Sequence, residues 1–224
     1  MRDKLEKLIA AYEELEKRMV DPTVVSDPKE YARIAKEHAS QAELVAHYEA
    51  VAAAVDMPIV LYNIPMRTGN ALEPATVARL SEVDNIVGAK DSSGDWDNLK
   101  AYIDLTAGKG FSVLSGNDAL ILRALQHGAT GSIAGCANVY PKNMVGIYEN
   151  FVAGDLEAAQ VCQDAVANLR SVFKYGNPNT VVKFAVNLLG YPVGKCRAPF
   201  NQLSDEGMGA LRKALEEDRA KGVC

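Results

Sequence analysis

The sequence has few of the residues that build disulfide scaffolds or metal centres, and it has no long apolar run. Its four cysteines include no C-x-x-C pair, and its three histidines, His38, His47 and His127, have no ligand-like spacing. No apolar run approaches the roughly 20 residues that cross a bilayer, and no charged-then-apolar leader opens the chain. We therefore expect a cytoplasmic protein with no disulfide framework, bound metal or membrane span.

The charge balance gives no support to an anionic partner. The 224 residues carry a formal charge of −5, with 24% charged and 48% apolar residues. This composition is that of an ordinary globular chain with room for a sizeable core. Nothing in it favours a nucleic acid or an anionic membrane surface as the main partner.

Residues 1–46 have the pattern of a helical hairpin. Apolar residues recur at three- and four-residue steps between Leu5 and Met19, as on one face of an amphipathic helix. Asp27, Pro28 and Glu30 then form a capping-box-like start for a second helix. Such stripes need a partner, so we expect the two helices to pack together.

From residue 47 the pattern changes to short apolar runs that alternate with helical stretches, which is typical of consecutive βα units. The predicted strands are 58–63, 85–92, 111–116 and 130–135, and the predicted helices are 73–83, 96–106, 118–128 and 140–155. The strands are largely apolar on both faces, as in a buried parallel sheet. An α/β domain is therefore predicted, and a barrel and an open sheet both fit this pattern.

Unusual residues collect at the carboxyl ends of these strands, where parallel α/β proteins bind ligands. Lys90 is the most informative, because burial favours the neutral amine that attacks a ketone to form an imine. A lysine that reaches solvent or pairs with Asp91 is an equally open reading. Tyr62 is a candidate for proton transfer and Arg67 for binding a carboxylate, against the alternatives of a core aromatic and a solvated loop charge. Gly116, at the tip of the third strand, marks a turn or a close approach of ligand to backbone.

Four motifs carry a family resemblance. The segments LYNIPMRTG, IVGAKDSSGD, VLSGND and GATGSIAG, within residues 61–135, resemble the dihydrodipicolinate synthase and N-acetylneuraminate lyase superfamily, in order and in spacing. The tail over residues 176–200 is also similar. The resemblance implies a (β/α)8 barrel fold, here the four C-terminal βα units plus a helical tail.

The resemblance also implies a chemistry. Lys90 would condense with pyruvate, Tyr62 would relay protons, and Arg67 would bind a carboxylate. Gly116 and Ile133 would border the adduct, with Ser92, Asn117 and Asp118 as weaker candidates for substrate contacts. No metal or organic cofactor is implied, and a homo-oligomer is expected. The arginine after YNIP favours synthesis of 4-hydroxy-tetrahydrodipicolinate from pyruvate and aspartate semialdehyde, a step of lysine biosynthesis. A 2-keto-3-deoxy acid aldolase or a sialic-acid lyase relative is the alternative.

The N-terminal segment departs from this family. Residues 1–46 resemble the helical region of a bacterial class-I peptide-chain release factor, although the Gly-Gly-Gln tripeptide of that class is absent from the sequence. We therefore predict a chimera joined near Ala46, with a hairpin at 1–46, a half barrel at 47–138 and a helical region of the same domain at 139–224. Because a complete family member has four further βα units that supply part of the site, we expect weak activity or none. A non-catalytic helical interaction module is the competing hypothesis.

Overall fold

The structure, a computed structural model, describes residues 42–223. The strands are β1 (Ile59–Asn63), β2 (Ile86–Asp91), β3 (Ser112–Ser115) and β4 (Gly131–Ser132). The α-helices are α1 (42–54), α2 (Pro65–Thr68), α3 (Pro74–Leu80), α4 (Trp96–Leu105), α5 (Ile121–Gln126), α6 (Pro141–Val152), α7 (Leu156–Asp164), α8 (Ala167–Ser171), α9 (Pro178–Leu188) and α10 (Asp205–Ala220). Single turns of 3-10 helix occupy Asp118–Leu120, Gly135–Asn138 and Val172–Tyr175. The predicted hairpin over 1–46 lies outside the described residues except for 42–46, which are helical.

The sheet has the strand order β1-β2-β3-β4, and β1 pairs with β2 in parallel. This arrangement confirms the predicted α/β fold with a parallel sheet. All four predicted strands are present, but the fourth is much shorter than 130–135. Its hydrogen bonding continues only to the Ile133 N–H, which donates to the Ser115 carbonyl at 3.0 Å, before Gly135 begins a 3-10 turn.

The described chain divides into two compact units. The first contains the residues up to Leu114 together with His127–Thr130, and the second contains Ser115–Gln126 and the residues from Gly131 onward. The division falls within β3, because its last residue is grouped with the second unit. The predicted domain boundaries near 46 and 138 stay a prediction.

In the first unit, apolar residues of α3 and α4 are buried beside the sheet. Val77, Leu80, Leu99 and Tyr102 are almost wholly inaccessible to solvent. At the start of β2, the Asn85 side-chain amide donates to the carbonyls of Ala52 at 2.9 Å and Val55 at 3.1 Å. These two bonds hold carbonyls at and just beyond the end of α1, where the helix supplies no i+4 donor.

The two faces of β1 differ in burial. Leu61 and Asn63 are buried, whereas Val60 and Tyr62 are 45% and 46% exposed. The prediction that this strand is buried on both faces is therefore wrong. Because successive side chains of a strand point to opposite faces, the exposed residues belong to one face and the buried ones to the other.

The second unit has its own hydrophobic core, built from α5 to α10. Buried members of this core include Ile121, Ile147, Leu169, Val181 and Leu211. Several polar contacts bind α10 to earlier elements. Among them, the Tyr140 hydroxyl donates to Asp218 Oδ2 at 2.5 Å, and Asn168 Nδ2 donates to Asp218 Oδ1 at 3.0 Å. Buried polar groups that are paired in this way add directional constraints to an apolar core. Among the described helices, none has the combination of length and apolar composition that crossing a bilayer requires.

Candidate active site

The carboxyl ends of β1 and β2 bring four polar residues into two facing pairs. In the parallel register Tyr62 is paired with Lys90, and Asn63 is paired with Asp91. Side chains alternate between the two faces of a sheet. The Tyr62–Lys90 pair therefore occupies one face, and the Asn63–Asp91 pair occupies the reverse face one residue further along the strands.

On the first face, the Lys90 amine lies against the Tyr62 ring. Nζ is 4.2 Å from the ring centroid, which is within the range for attraction between a cation and an aromatic face. Lys90 is partly buried, and Tyr62 is about half exposed. Within residues 42–223, no carboxylate oxygen lies within 4 Å of this amine, so the Lys90–Asp91 ion pair that the sequence left open is not formed there.

On the reverse face, the Asp91 carboxylate accepts hydrogen bonds from three side chains. Oδ1 accepts from Asn63 Nδ2 at 2.7 Å and from Asn98 Nδ2 at 3.2 Å, and Oδ2 accepts from the Ser93 hydroxyl at 2.7 Å. The Ser93 N–H also donates to Oδ1, at 3.3 Å. Burial raises the pKa of Asp91 above its ordinary value, although these hydrogen bonds oppose that shift.

The loop that follows β1 is tied to the same network. The Leu72 N–H donates to Asn63 Oδ1 at 3.0 Å, and the Leu72 carbonyl accepts from the hydroxyl of buried Tyr102. Burial also raises the pKa of Tyr102 well above the usual tyrosine value. Both backbone groups of Leu72 are therefore held, which fixes the far end of the loop.

Arg67 lies in this loop, on the four-residue helix α2. Pro65 begins the helix, and Gly69 ends it in the left-handed conformation with φ of 75°. The Thr68 hydroxyl donates to the Asn70 carbonyl at 2.8 Å, which closes the turn. The Arg67 side chain is exposed, as a group that meets a substrate carboxylate from solvent must be.

Ser92 directly follows β2 in the first unit, and the other predicted site residues belong to the second unit. Gly116 follows the end of β3 and is partly buried, and the Ile133 side chain is 52% exposed. Asn117 caps the next turn through its side-chain oxygen, which accepts from the Ala119 N–H at 3.0 Å. Asp118, a weaker candidate for substrate contact, is buried and accepts from Arg170 Nη1 at 2.8 Å and from the Cys136 N–H at 2.8 Å.

Sequence reasoning missed Asn63 and Asn98. Asn63 directly follows Tyr62, and strand alternation alone places it and Asp91 behind the candidate pair. The signal that could have found this pair is two polar residues in strands that are otherwise apolar. Asn98 had no such signal. An asparagine in the first turn of a helix is common, and its bond to Asp91 is visible only once the structure shows which face of the sheet Asp91 occupies.

A lysine amine beside a phenol combines a nucleophile with a group that donates and accepts protons, and imine formation uses both. Comparison with known proteins identifies the family. The model of the dihydrodipicolinate synthetase family matches residues 36–218, which is most of the chain. The chain belongs to this family. The match begins before the predicted join near Ala46, and no comparison supports the release-factor resemblance of the N-terminal segment.

Individual family members are also similar. The 4-hydroxy-tetrahydrodipicolinate synthase of Methanoculleus marisnigri is 46% identical over 173 residues, which cover 77% of this chain and 59% of that protein. The crystal structure of chloride-inhibited dihydrodipicolinate synthase from Acinetobacter baumannii complexed with pyruvate matches with a TM-score of 0.76 at 36% identity, covering 82% of this chain and 62% of that one.

A monomeric dihydrodipicolinate synthase variant matches with the same TM-score of 0.76, at 31% identity, covering 82% of this chain and 61% of that one. The chain therefore spans about three-fifths of the length of these relatives. The match to barrel enzymes of this family is consistent with the predicted partial (β/α)8 barrel.

Proposed function

We propose that this chain forms a Schiff base with pyruvate at Lys90, as the first step of a 4-hydroxy-tetrahydrodipicolinate synthase reaction. The observation that carries the proposal is the Lys90 amine 4.2 Å from the Tyr62 ring centroid, at adjacent strand ends of a chain in this family. The relative from Methanoculleus marisnigri has this activity in its name.

In the proposed step, the neutral Lys90 amine attacks the ketone carbon of pyruvate. The carbinolamine that results loses water and becomes an imine, and Tyr62 moves the protons that these two changes require. Loss of a methyl proton then leaves an enamine, whose carbon attacks the aldehyde of aspartate semialdehyde. The chemistry uses an amine and a phenol and calls for no metal or organic cofactor.

The other predicted site residues have supporting roles in this proposal. Arg67 binds a carboxylate of the acceptor through its exposed guanidinium, which suits a two-pronged contact. The backbone near Gly116 and the Ile133 side chain border the adduct.

Reductive trapping tests the first covalent step without requiring full turnover. The protein is incubated with pyruvate and borohydride, and peptide mapping by mass spectrometry locates the reduced adduct. We expect one pyruvyl group on Lys90 and none in Lys90→Arg. Lys142→Arg is the matched control, because Lys142 is an exposed lysine on α6. An unmodified Lys90 in folded protein, or equal labelling of exposed lysines, would contradict the proposal.

The aldehyde that the pyruvate enamine attacks distinguishes the synthase from the aldolase and lyase alternatives. If Arg67 binds an acidic aldehyde, Arg67→Met should weaken the use of aspartate semialdehyde while trapping of pyruvate stays intact. A chain that traps pyruvate but cleaves 2-keto-3-deoxy acids or N-acetylneuraminate in preference would show that an aldolase or lyase is the better assignment.

Other predictions concern the N-terminal segment, the location and the oligomeric state. The release-factor resemblance of residues 1–46 and the interaction module that it suggests stay a prediction, and so does a cytoplasmic location. We also propose a homo-oligomer, which sedimentation analysis would test, since the family includes a monomeric variant.

A further inference from the structure

We propose that the buried Asn63–Asp91 pair is a positioning device that holds the Lys90 amine against the Tyr62 ring. This inference rests on the proposed function for its catalytic consequence. The geometric part concerns only the ends of two strands in the first compact unit.

The first argument is register. Asn63 and Asp91 are the next facing pair after Tyr62 and Lys90, and the Asn63 Nδ2 to Asp91 Oδ1 bond of 2.7 Å links the two strands on the reverse face of the sheet. The Ser92 N–H donates to the Asn63 carbonyl at 2.8 Å, just past the last facing pair. The side-chain bond therefore fixes the strand spacing one residue away from the reactive pair.

The second argument is anchoring. Asp91 is bound on its other side by Asn98 of α4 and by Ser93, and Asn63 Oδ1 holds the Leu72 N–H. The Asn63–Asp91 bond is therefore braced by a helix and by a loop, and neither strand end can shift without breaking several hydrogen bonds.

The third argument is the chemical nature of the pair. An apolar pair would bury these positions at less cost, since burial disfavours the Asp91 carboxylate. A fully satisfied polar network differs from apolar packing in that it accepts one geometry only. A lysine that must meet a ring and a substrate benefits from such a constraint, because a misplacement of about 1 Å costs on the order of a hundredfold in rate.

The test compares two variants that each remove one amide donor from the same oxygen, Asp91 Oδ1. Asn63→Ala removes the donor on β1, breaks the link between the strands and also frees the Leu72 N–H. Tyr102→Phe, which frees the Leu72 carbonyl and leaves the link in place, is the control for the loop. Asn98→Ala removes the donor on α4 and leaves that link in place. If the network serves only to satisfy Asp91 and to anchor the loop, Asn63→Ala should behave like Asn98→Ala or Tyr102→Phe.

The first readout is independent of activity. In protein labelled with 13C-lysine, the methylene next to Lys90 Nζ should show an upfield ring-current shift, assigned by its absence in Lys90→Arg. We expect Asn63→Ala to lose this shift and Asn98→Ala to keep it. Retention of the shift in folded Asn63→Ala would overturn the positioning role.

The second readout is the rate of borohydride trapping as a function of pyruvate, per folded molecule. Asn63→Ala should lower the maximal rate by about tenfold to a hundredfold, with little change in the half-saturating pyruvate concentration, and Asn98→Ala should lower it much less. Asp91→Asn, which keeps an oxygen that accepts from Asn63, should recover most of the rate lost in Asp91→Ala.

The two proposals fail in different ways. If the wild-type protein traps no pyruvate, the proposed function is wrong, and the ring-current comparison alone decides the positioning role. If the wild type traps pyruvate and Asn63→Ala and Asn98→Ala have equal rates, the positioning role is wrong and the proposed function stands.

Discussion

Lys90 Nζ lies 4.2 Å from the centre of the Tyr62 ring, and the two residues face each other in the register of parallel strands β1 and β2. The contact uses the face of the ring and not the hydroxyl. The Tyr62 ring would therefore hold the amine, and the Tyr62 hydroxyl would move protons, so the two roles can be tested separately.

Tyr62→Phe separates them. The variant keeps the ring and loses the hydroxyl, so we expect the amine to stay in place while trapping of pyruvate slows by about a hundredfold, as is common when a proton-transfer group is removed. Because Tyr62 is 46% exposed, thermal unfolding should change little. Tyr62→Leu, which also removes the ring, is the comparison. An unchanged trapping rate in Tyr62→Phe would exclude the phenol from the proton relay.

The positions of the strands could be predicted from the sequence, but their pairing could not. Predicted strands 58–63 and 85–92 agree with β1 and β2 within one residue at each end, because apolar runs between turn residues mark strands directly. The Asn63–Asp91 bond depends on register, which shifts by one residue at the irregularity between Ile59 and Val60. No periodicity in the sequence reveals such an irregularity.

The fourth strand shows a second limit of the sequence pattern. The run TGSIAG is apolar enough for a strand, yet only Gly131–Ser132 form one. The chain turns at Gly135 because the backbone there enters a 3-10 helix whose Cys136 N–H is bound by the distant residue Asp118. A tertiary contact of this kind overrides local propensity.

Gly88 is expected to be indispensable for the packing of β2 on β3. A Cβ at this position would lie 2.6 Å from the Ser112 carbonyl oxygen, which belongs to rigid backbone. Gly88→Ala should therefore lower the free energy of unfolding by about 1–3 kcal/mol, measured by urea denaturation. Gly209→Ala is the matched control, since it is exposed in α10 and a Cβ there meets no atom within 4 Å. The control should be stabilised by about 0.5–1 kcal/mol, and equal stability of the two variants would contradict the expected clash.

The Arg170–Asp118 ion pair is predicted to be structural. Asp118 is buried, and its carboxylate is bound by Arg170 Nη1 and the Cys136 N–H, both at 2.8 Å. Arg170→Met leaves the carboxylate short of one donor, so we expect unfolding to become easier by about 3 kcal/mol. Lys213→Met breaks an exposed ion pair with Glu217 at 3.8 Å and should cost about 0.5 kcal/mol or less. Similar small losses in both variants would contradict a structural role for this ion pair.

Asp91 should leave a signature in the pH dependence of stability. Burial raises its pKa in the folded protein above the ordinary value of 3.8. Between the ordinary value and the raised one, the folded protein holds the proton more tightly than the unfolded chain, so stability falls as pH rises through that interval. Asp91→Asn lacks this titration. The difference in unfolding free energy, wild type minus Asp91→Asn, should therefore be greatest at low pH and decrease as pH rises through the interval.

Urea denaturation at a series of pH values measures this difference, and the exposed Asp84→Asn variant corrects for the loss of one negative charge. The sign of the slope is the informative quantity, because two opposing effects act on the same carboxylate. A decreasing difference means that burial outweighs the hydrogen bonds from Asn63, Ser93 and Asn98. An increasing difference would mean that the donors dominate. The folded state would then prefer ionised Asp91, and the Asn63–Asp91 link would be a charge-assisted bond that strengthens as pH rises.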